Sequence, residues 1–413
     1  MPKIKAFKGI HPAQTHVDRV VLQVENLDIA SAKRIRNQNP YSFVNMLVPK
    51  LENRFLMGSK TELAFKKIND NFDDYLEKGI LLQDQQPAIY VYQVKHLGLT
   101  QAGFWTVTAI DDYLNNTIRK HELTRAEREK SLIDYVQQTG IDANPVLITY
   151  PTDETLSQII KETLLKQPLL HFNRQDAEHC LWKIDDEAIL NTITQAFARL
   201  KSTYIADGHH RAAAASSYGI ERRKFNLKHT GNEEYNFFTS VYMPTDQIHI
   251  FEFHRLIKSL GKLSVNQLLK ELEADFDLKE LTNIRVFKPG YMHQIGLYVA
   301  SKWYELNYRE PAVRPDNPVE KLDVSILQNR VLTRILQIKD PRTDPRLSFA
   351  GGITHIADLV KKVDDGEFDA LFTLFPTSIE ELIQVADAGE VMPPKSTWFE
   401  PKFQAGLLIH KVN

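Results

Sequence analysis

The residues best equipped for chemistry sit in the run Thr203-Tyr204-Ile205-Ala206-Asp207-Gly208-His209-His210-Arg211, followed by the alanine-rich stretch Ala212 to Ala215. An apolar β-forming segment ends in Ala-Asp-Gly, and two imidazoles and a guanidinium open the next segment. This pattern predicts a strand, a tight turn and the start of a helix. Glycine lets backbone approach a ligand closely. The first N–H groups of a helix lack intrahelical partners and carry partial positive charge. Gly208, His209, His210 and Arg211 would therefore make a cradle for phosphate or carboxylate. Asp207 lies just outside it, placed to hold a metal ion or a hydroxyl. The same residues also fit a plain strand-to-helix turn, with Asp207 as cap and the histidines satisfying backbone groups.

A second candidate is Glu122, within Ile118-Arg119-Lys120-His121-Glu122-Leu123-Thr124. A carboxylate held there could act as a general base or a metal ligand, or be an exposed charge near a helix N-terminus. His121-Glu122 begins like a zinc-protease helix, but Arg125 occupies the place of the second histidine, which excludes that chemistry. Near the C-terminus, Lys395, Ser396 and Thr397 could bind an oxyanion or form a surface turn. Cys180 is the single cysteine, so neither an intrachain disulfide nor a four-cysteine zinc site can form.

The elements that must position these groups can be read in order. Thr61 to Gly79 predicts a helix with Leu63, Phe65, Ile68, Phe72, Tyr75 and Leu76 as its apolar stripe. Ala88 to Val94 and Phe104 to Ile110 predict a hairpin, with Gly98 and Gly103 in the connection. Thr124 and Glu127 have capping-box spacing, opening a helix with Leu132, Ile133 and Val136 inward and Gly140 as its stop. Then come a buried strand at Asn144 to Tyr150, a helix from Asp153, and a β pair around Leu169 to Phe172 and Cys180 to Ile184. A helix capped by Asp185 or Asp186 precedes the strand that leads to Asp207. Glu221 to Glu234 reads as a linker or lid. Beyond it, strands are expected at Tyr235 to Met243, Ile248 to Phe253, Ile284 to Phe287, Gln294 to Ala300 and Trp303 to Tyr308. Helices are expected at Val265 to Phe276 and Asp323 to Leu336. The class is α+β or mixed α/β.

A chain of 413 residues exceeds one typical core. We expect an N-terminal α/β region (1–85), a core (86–222) and a C-terminal α+β domain (235–413). With 51 basic and 53 acidic residues, no global field favours nucleic acid or an acidic membrane. The N-terminus lacks a signal-peptide core, and no run of about 20 apolar residues is present. The expectation is a soluble, cytoplasmic protein.

Ala206-Asp207-Gly208-His209-His210-Arg211 resembles the hallmark of the ParB/sulfiredoxin superfamily, especially its free serine kinase branch. Over nearly its full length the chain resembles a large bacterial family of uncharacterised function that carries this signature. Tyr90 with its strand, Arg119 to Thr124, and Met392 to Lys402 support that likeness. Two departures stand out. Val24-Glu25-Asn26-Leu27-Asp28 replaces a Pro-Pro-Tyr-Asp stretch, and Ala212 stands where tyrosine is frequent. Sulfiredoxin chemistry needs a cysteine where His209 stands, and ParB-type proteins add a basic DNA-binding module that is lacking here.

The kinase branch implies ATP or ADP with Mg²⁺ and a small hydroxyl-bearing metabolite as partners. By that resemblance Gly208, His209, His210 and Arg211 cradle phosphate, and Asp207 holds Mg²⁺ or orients the acceptor. Glu122 takes the acceptor proton, while His121 or Arg119 supports nucleotide or product phosphate. A non-catalytic nucleotide-binding module and a slow nucleotide hydrolase remain open as alternatives. A homo-oligomer is compatible with the sequence.

Overall fold

Leu97 and Gly98 both adopt positive φ, 53° and 74°, as a two-residue turn between right-twisted strands requires. They close the hairpin of Ile89–His96 and Leu99–Ala109. Gly103 is not part of that turn. It lies within the second strand, where a Cβ would collide with the Tyr242 carbonyl of the neighbouring strand. The computed structural model describes residues 1–24, 27–47, 59–309, 316–400 and 402–413; Glu25 and Asn26, within the first sequence departure, lie outside them. The chain divides into two units, Met1–Ile248 with Pro401–Asn413, and His249–Glu400.

In the first unit the hairpin sits in a nine-stranded mixed sheet. From one edge the order is Ile118–Arg119, Thr203–Asp207, Val146–Tyr150, Phe237–Pro244, Leu99–Ala109, Ile89–His96, Ala177–Ile184 and Leu170–Arg174, with Ile4–Lys5 also pairing Leu99–Ala109. Ile118–Arg119 runs parallel to Thr203–Asp207, and Val146–Tyr150 parallel to Phe237–Pro244. The molecule is an α+β protein. Both faces of the central hairpin are covered, so Tyr90, Tyr92, Phe104 and Trp105 are all buried and the sequence there is apolar without alternation.

The helix expected near Thr61 spans Ser59–Glu77, with Phe65, Ile68, Phe72 and Tyr75 buried. Leu63 leaves the stripe and is 64% exposed, because residues two apart on a helix point to nearly opposite sides. Asp153 and Asp186 cap the Glu154–Leu164 and Glu187–Arg199 helices through their side chains. The capping box at Thr124 does not form. That helix is Ala126–Thr139, its N-cap residue is Arg125, and no side chain caps it. Gly140 ends it in the left-handed conformation, φ 63°.

The linker expected at Glu221 to Glu234 is also corrected. The helix that begins at His209 continues to Phe225. The loop beyond it is gathered around Glu233, which accepts from Thr230 N at 2.6 Å, Gly231 N at 2.9 Å and Asn236 Nδ2 at 3.0 Å.

The second unit holds a six-stranded antiparallel sheet ordered Phe276–Leu281, Lys302–Tyr308, Gln294–Val299, Ala370–Thr373, Phe253–Ile257 and Leu347–Gly351. Leu256, Trp303, Leu359 and Leu371 form its core. Ile284 to Phe287 is not a strand; its Ile284 and Val286 are each 41% exposed. The helix from Val265 stops at Leu272, and Phe276 opens a strand instead. The helix from Asp323 widens into π-helical turns over Leu327–Thr333. Among the described residues no helix is long and apolar enough to cross a membrane.

Candidate functional site

Two parallel neighbouring strands deliver the chain to the same end of the sheet. Thr203 and Tyr204 pair with Ile118 and Arg119 in parallel register, so His121 and Glu122 leave the edge strand beside the turn at Asp207. Val146–Tyr150 runs the other way, with Leu147 opposite Asp207. Its leading residues Asn144 and Pro145 therefore meet the same corner. The corner thus collects the carboxyl ends of two strands and the amino end of a third.

At the corner, Gly208 adopts φ 101° and heads the His209–Phe225 helix. A Cβ there would sit 3.0 Å from Arg211 Nε, so the absent side chain lets the guanidinium fold over the turn. Arg211 Nη2 donates to Asp207 Oδ2 at 2.5 Å. Its Nη1 donates to Asn144 Oδ1 at 2.7 Å and to the Pro145 carbonyl. Burial pushes the Asp207 carboxyl up, but the cations around it, Lys402 first and then Arg211 and Arg128, more than offset this and hold it at about 2. Asp207 is thus ionised, with Oδ2 engaged by Arg211.

His209 is buried, and its Nε2 accepts from the His121 backbone N–H at 3.4 Å. The neutral ring then carries its proton on Nδ1, an assignment made from the bonding. Nδ1 lies 3.6 Å from Glu122 Oε2, whose side chain is 50% exposed. Burial above all, with the nearby His121 and His210 rings and Arg211 adding to it, drives His209 well below the ordinary histidine value, against the pull of Asp207. The contact is therefore imidazole N–H facing carboxylate rather than an ion pair. His121 stands edge-on to His209, with ring centroids 4.5 Å apart at 85°. Burial lowers His121 to about 4, although Asp207 and the Ile205 backbone pull the other way. Its Nδ1 is buried with no hydrogen-bond partner among the described residues.

His210 points to the other flank, where its Nε2 accepts the Arg125 backbone N–H at 3.0 Å. This bond occupies the stretch where a side-chain cap was expected. Burial, then the Arg128 charge, lowers His210 as well. The corner thus holds neutral imidazoles and an ionised aspartate, with a half-exposed glutamate facing one ring.

The fold brings Glu122, His121, Asp207, Gly208, His209, His210 and Arg211 together. Arg119 occupies the adjoining edge strand, opposite Tyr204. Lys395, Ser396 and Thr397 belong to the other unit. There Ser396 Oγ donates to Pro393 O at 2.7 Å, Arg255 Nη2 donates to Lys395 O at 3.0 Å, and Lys395 Nζ lies 5.1 Å from the Phe253 ring centroid. Ala212 packs into the sheet core. Sequence reasoning missed Asn144, Arg128 and Lys402 as neighbours of Asp207. Lys402 did carry a signal, as the end of the stretch singled out from Met392. Among the described residues Asp207 joins no cluster of three potential metal ligands; the one such cluster is His171, Glu178 and Cys180, on the far-edge hairpin.

Residues 4–325 match the model of a family described as "Protein of unknown function (DUF1015)". No curated protein matches the chain by sequence. Solved structures similar to it include a mutant free serine kinase in complex with AMP (14% identity, 75% of this chain and 91% of that one, TM-score 0.40). The same kinase in a mutant complex with ADP gives the same figures. A conserved hypothetical protein from Pyrococcus furiosus is similar at 15% identity, 75% and 95% coverage and TM-score 0.37.

Proposed function

The chain belongs to the DUF1015 family, and we propose that it binds a nucleotide, ATP or ADP, at the corner formed by Gly208, His209, His210 and Arg211. There it passes phosphate to the hydroxyl of a free amino acid or similar small metabolite. The observation that carries this reading is the 3.6 Å approach of Glu122 Oε2 to His209 Nδ1, which sets an accessible carboxylate beside a helix N-terminus. The likeness of the signature to the free serine kinase branch of the ParB/sulfiredoxin superfamily supports it.

Phosphoryl transfer asks a protein for positioning and charge stabilisation. The helix N-terminus at His209 supplies unpaired N–H groups and positive potential for the phosphates. Arg128 and Lys402 add cationic field. Arg211, tied to Asp207 and Asn144, fixes the corner's shape. The acceptor oxygen forms its new bond to phosphorus as the bond to the leaving nucleotide oxygen breaks. Its proton goes to Glu122, which the His209 N–H orients.

An ionised Asp207, whose Oδ2 is engaged by Arg211, would be the residue to hold Mg²⁺. Bound there, the ion would supply neutralisation of phosphate charge. The test is calorimetry with ATP, ADP and AMP, followed by mass spectrometry for phosphorylated products among free hydroxyl amino acids and hydroxy acids. Binding with product formation supports the kinase reading. Binding without product identifies a nucleotide-sensing module, and nucleotide loss without an acceptor product identifies a hydrolase. No binding removes the proposal.

A further inference from the structure

The Ala126–Thr139 helix is amphipathic, yet its apolar side is only partly packed, Tyr135 and Val136 each touching a core cluster. Leu132, Tyr135 and Val136 are only half-buried, and Thr139 is its one buried residue. These side chains, with Arg128 and Ser131, line one wall of an open cavity of about 400 Å³. The facing wall is the His209–Phe225 helix, which contributes Arg211, Ala214, Ala215 and Tyr218. Both sets follow helical i, i+3, i+4, i+7 spacing, so each helix turns one continuous stripe toward the space. The two alanines make the room. The volume falls in the range of small-molecule sites.

The cavity is polarised along its length. Arg128 lies in the first turns of one helix and Arg211 in the first turn of the other, and both line the same end with Asn144. The positive N-termini of two helices add to that end. Arg211 is neutralised by Asp207. Arg128 is exposed and makes no salt bridge among the described residues; like Arg211, it acts on the Asp207 carboxylate, so two guanidiniums share one carboxylate at this end. From Arg211 to Tyr218 the slot extends roughly 10 Å, at the helical rise per residue, and its far part is walled by Val136, Tyr218 and Val412. Asp142, the one carboxyl on the floor among the described residues, is committed to Thr239, whose N–H and Oγ1 donate to it at 2.7 and 3.1 Å.

We infer that this slot binds an amphipathic anion, with its phosphate or carboxylate head at Arg128 and Arg211 and an unbranched or ring-bearing apolar body laid between the two helices. Neither hydrophilic nucleotide phosphates nor a free serine would cover the apolar walls. The site does not depend on phosphoryl transfer and stands even if the corner only binds nucleotide.

Alkyl phosphates are the probes, titrated calorimetrically into the full-length protein below their micelle concentrations. Lengthening the chain from butyl to octyl should tighten binding by about 100-fold or more, the expectation for four buried methylenes. Inorganic phosphate should bind far more weakly than octyl phosphate. Octyl glucoside should gain nothing from the head end, and octanoate set against octyl phosphate tells which anion the head site prefers. Val136→Trp, on the half-buried helix face, and Ala215→Phe should each fill the slot and weaken octyl phosphate at least 10-fold while ADP affinity holds. Arg128→Gln should weaken octyl phosphate and leave octyl glucoside unchanged. A flat chain-length series, or octyl phosphate binding untouched by both filling variants, overturns the proposal. So does loss of ADP binding with octyl phosphate retained, which would make the slot the nucleoside's.

Discussion

Glu122 Oε2 faces Nδ1 of His209 at 3.6 Å, although the two residues follow separate strands of the sheet. The pairing arises because Ile118–Arg119 and Thr203–Asp207 run parallel and release the chain at one end. His209 is buried and neutral, so it can orient the carboxylate without neutralising it. The distance exceeds a normal hydrogen bond, as is common before a ligand tightens a site. Glu122→Gln should therefore lower turnover in a phosphate-transfer assay by about 100- to 10,000-fold. ADP affinity by calorimetry should hold, since the amide keeps the shape. Undiminished turnover would take Glu122 out of the base role.

Arg211 bridges Asp207, Asn144 and Pro145, three groups from two strands. Lysine carries the same charge but cannot span them, because an ammonium lacks the planar fork. Arg211→Lys should cost about 1.5–3 kcal/mol of stability, the usual worth of hydrogen bonds to charged groups. It should also weaken nucleotide binding, because the turn at Gly208 loses its brace. Chemical denaturation and calorimetry check the two effects separately. A variant as stable as the wild type would mean the bridge contributes nothing to the corner.

Much of this corner was legible in the sequence because its parts are local. The apolar run into Asp-Gly, and the alanines after Arg211, specify strand, turn and helix with little help from distant contacts. The α+β class followed for the same reason, since aspartates placed just before amphipathic stretches (Asp153 and Asp186) do cap helices. What escaped was decided by partners far along the chain. Asn144, Arg128 and Lys402 surround Asp207 only through strand pairing and helix packing. Thr124 has no capping role because the helix begins one residue later than its spacing implies, with Arg125 at the N-cap. Gly103 looked like a turn residue, but the close approach of the strand bearing Tyr242 is what requires it. Apolar periodicity likewise failed to distinguish a helix face lining a cavity from one packed into core, as at Leu132, whereas Val136 does pack against a core cluster.

His121 gives the corner a pH dependence whose sign can be worked out. Burial lowers it to about 4 from an ordinary 6.5. Between those values the unfolded chain binds a proton that the folded protein refuses, so stability is complete above about 6.5 and falls as pH drops toward 4. The full loss is on the order of 3 kcal/mol from this residue. His209, also lowered by burial, acts in the same direction. Urea unfolding at pH 7.5 and pH 5 should show the wild type losing stability with a steeper slope than His121→Gln. Equal slopes would mean that His121 is not held neutral by the fold.

Gly208 is required on two counts. Its φ of 101° lies where an L-residue is strained by roughly 1–2 kcal/mol. A methyl would also press on Arg211 at 3.0–3.1 Å, from Nε to Cζ, and tilt the guanidinium off Asp207. Gly208→Ala should then do more than lower the melting temperature by the strain alone. Its Asp207 carboxyl, released from Arg211, should rise from about 2, and nucleotide affinity should fall with it. Gly231→Ala is the control, because it shares a positive φ of 89° but meets nothing within 4 Å. It should cost a similar strain while leaving nucleotide binding intact. If both variants bind nucleotide equally well, the close approach of Arg211 to the turn has no part in ligand recognition.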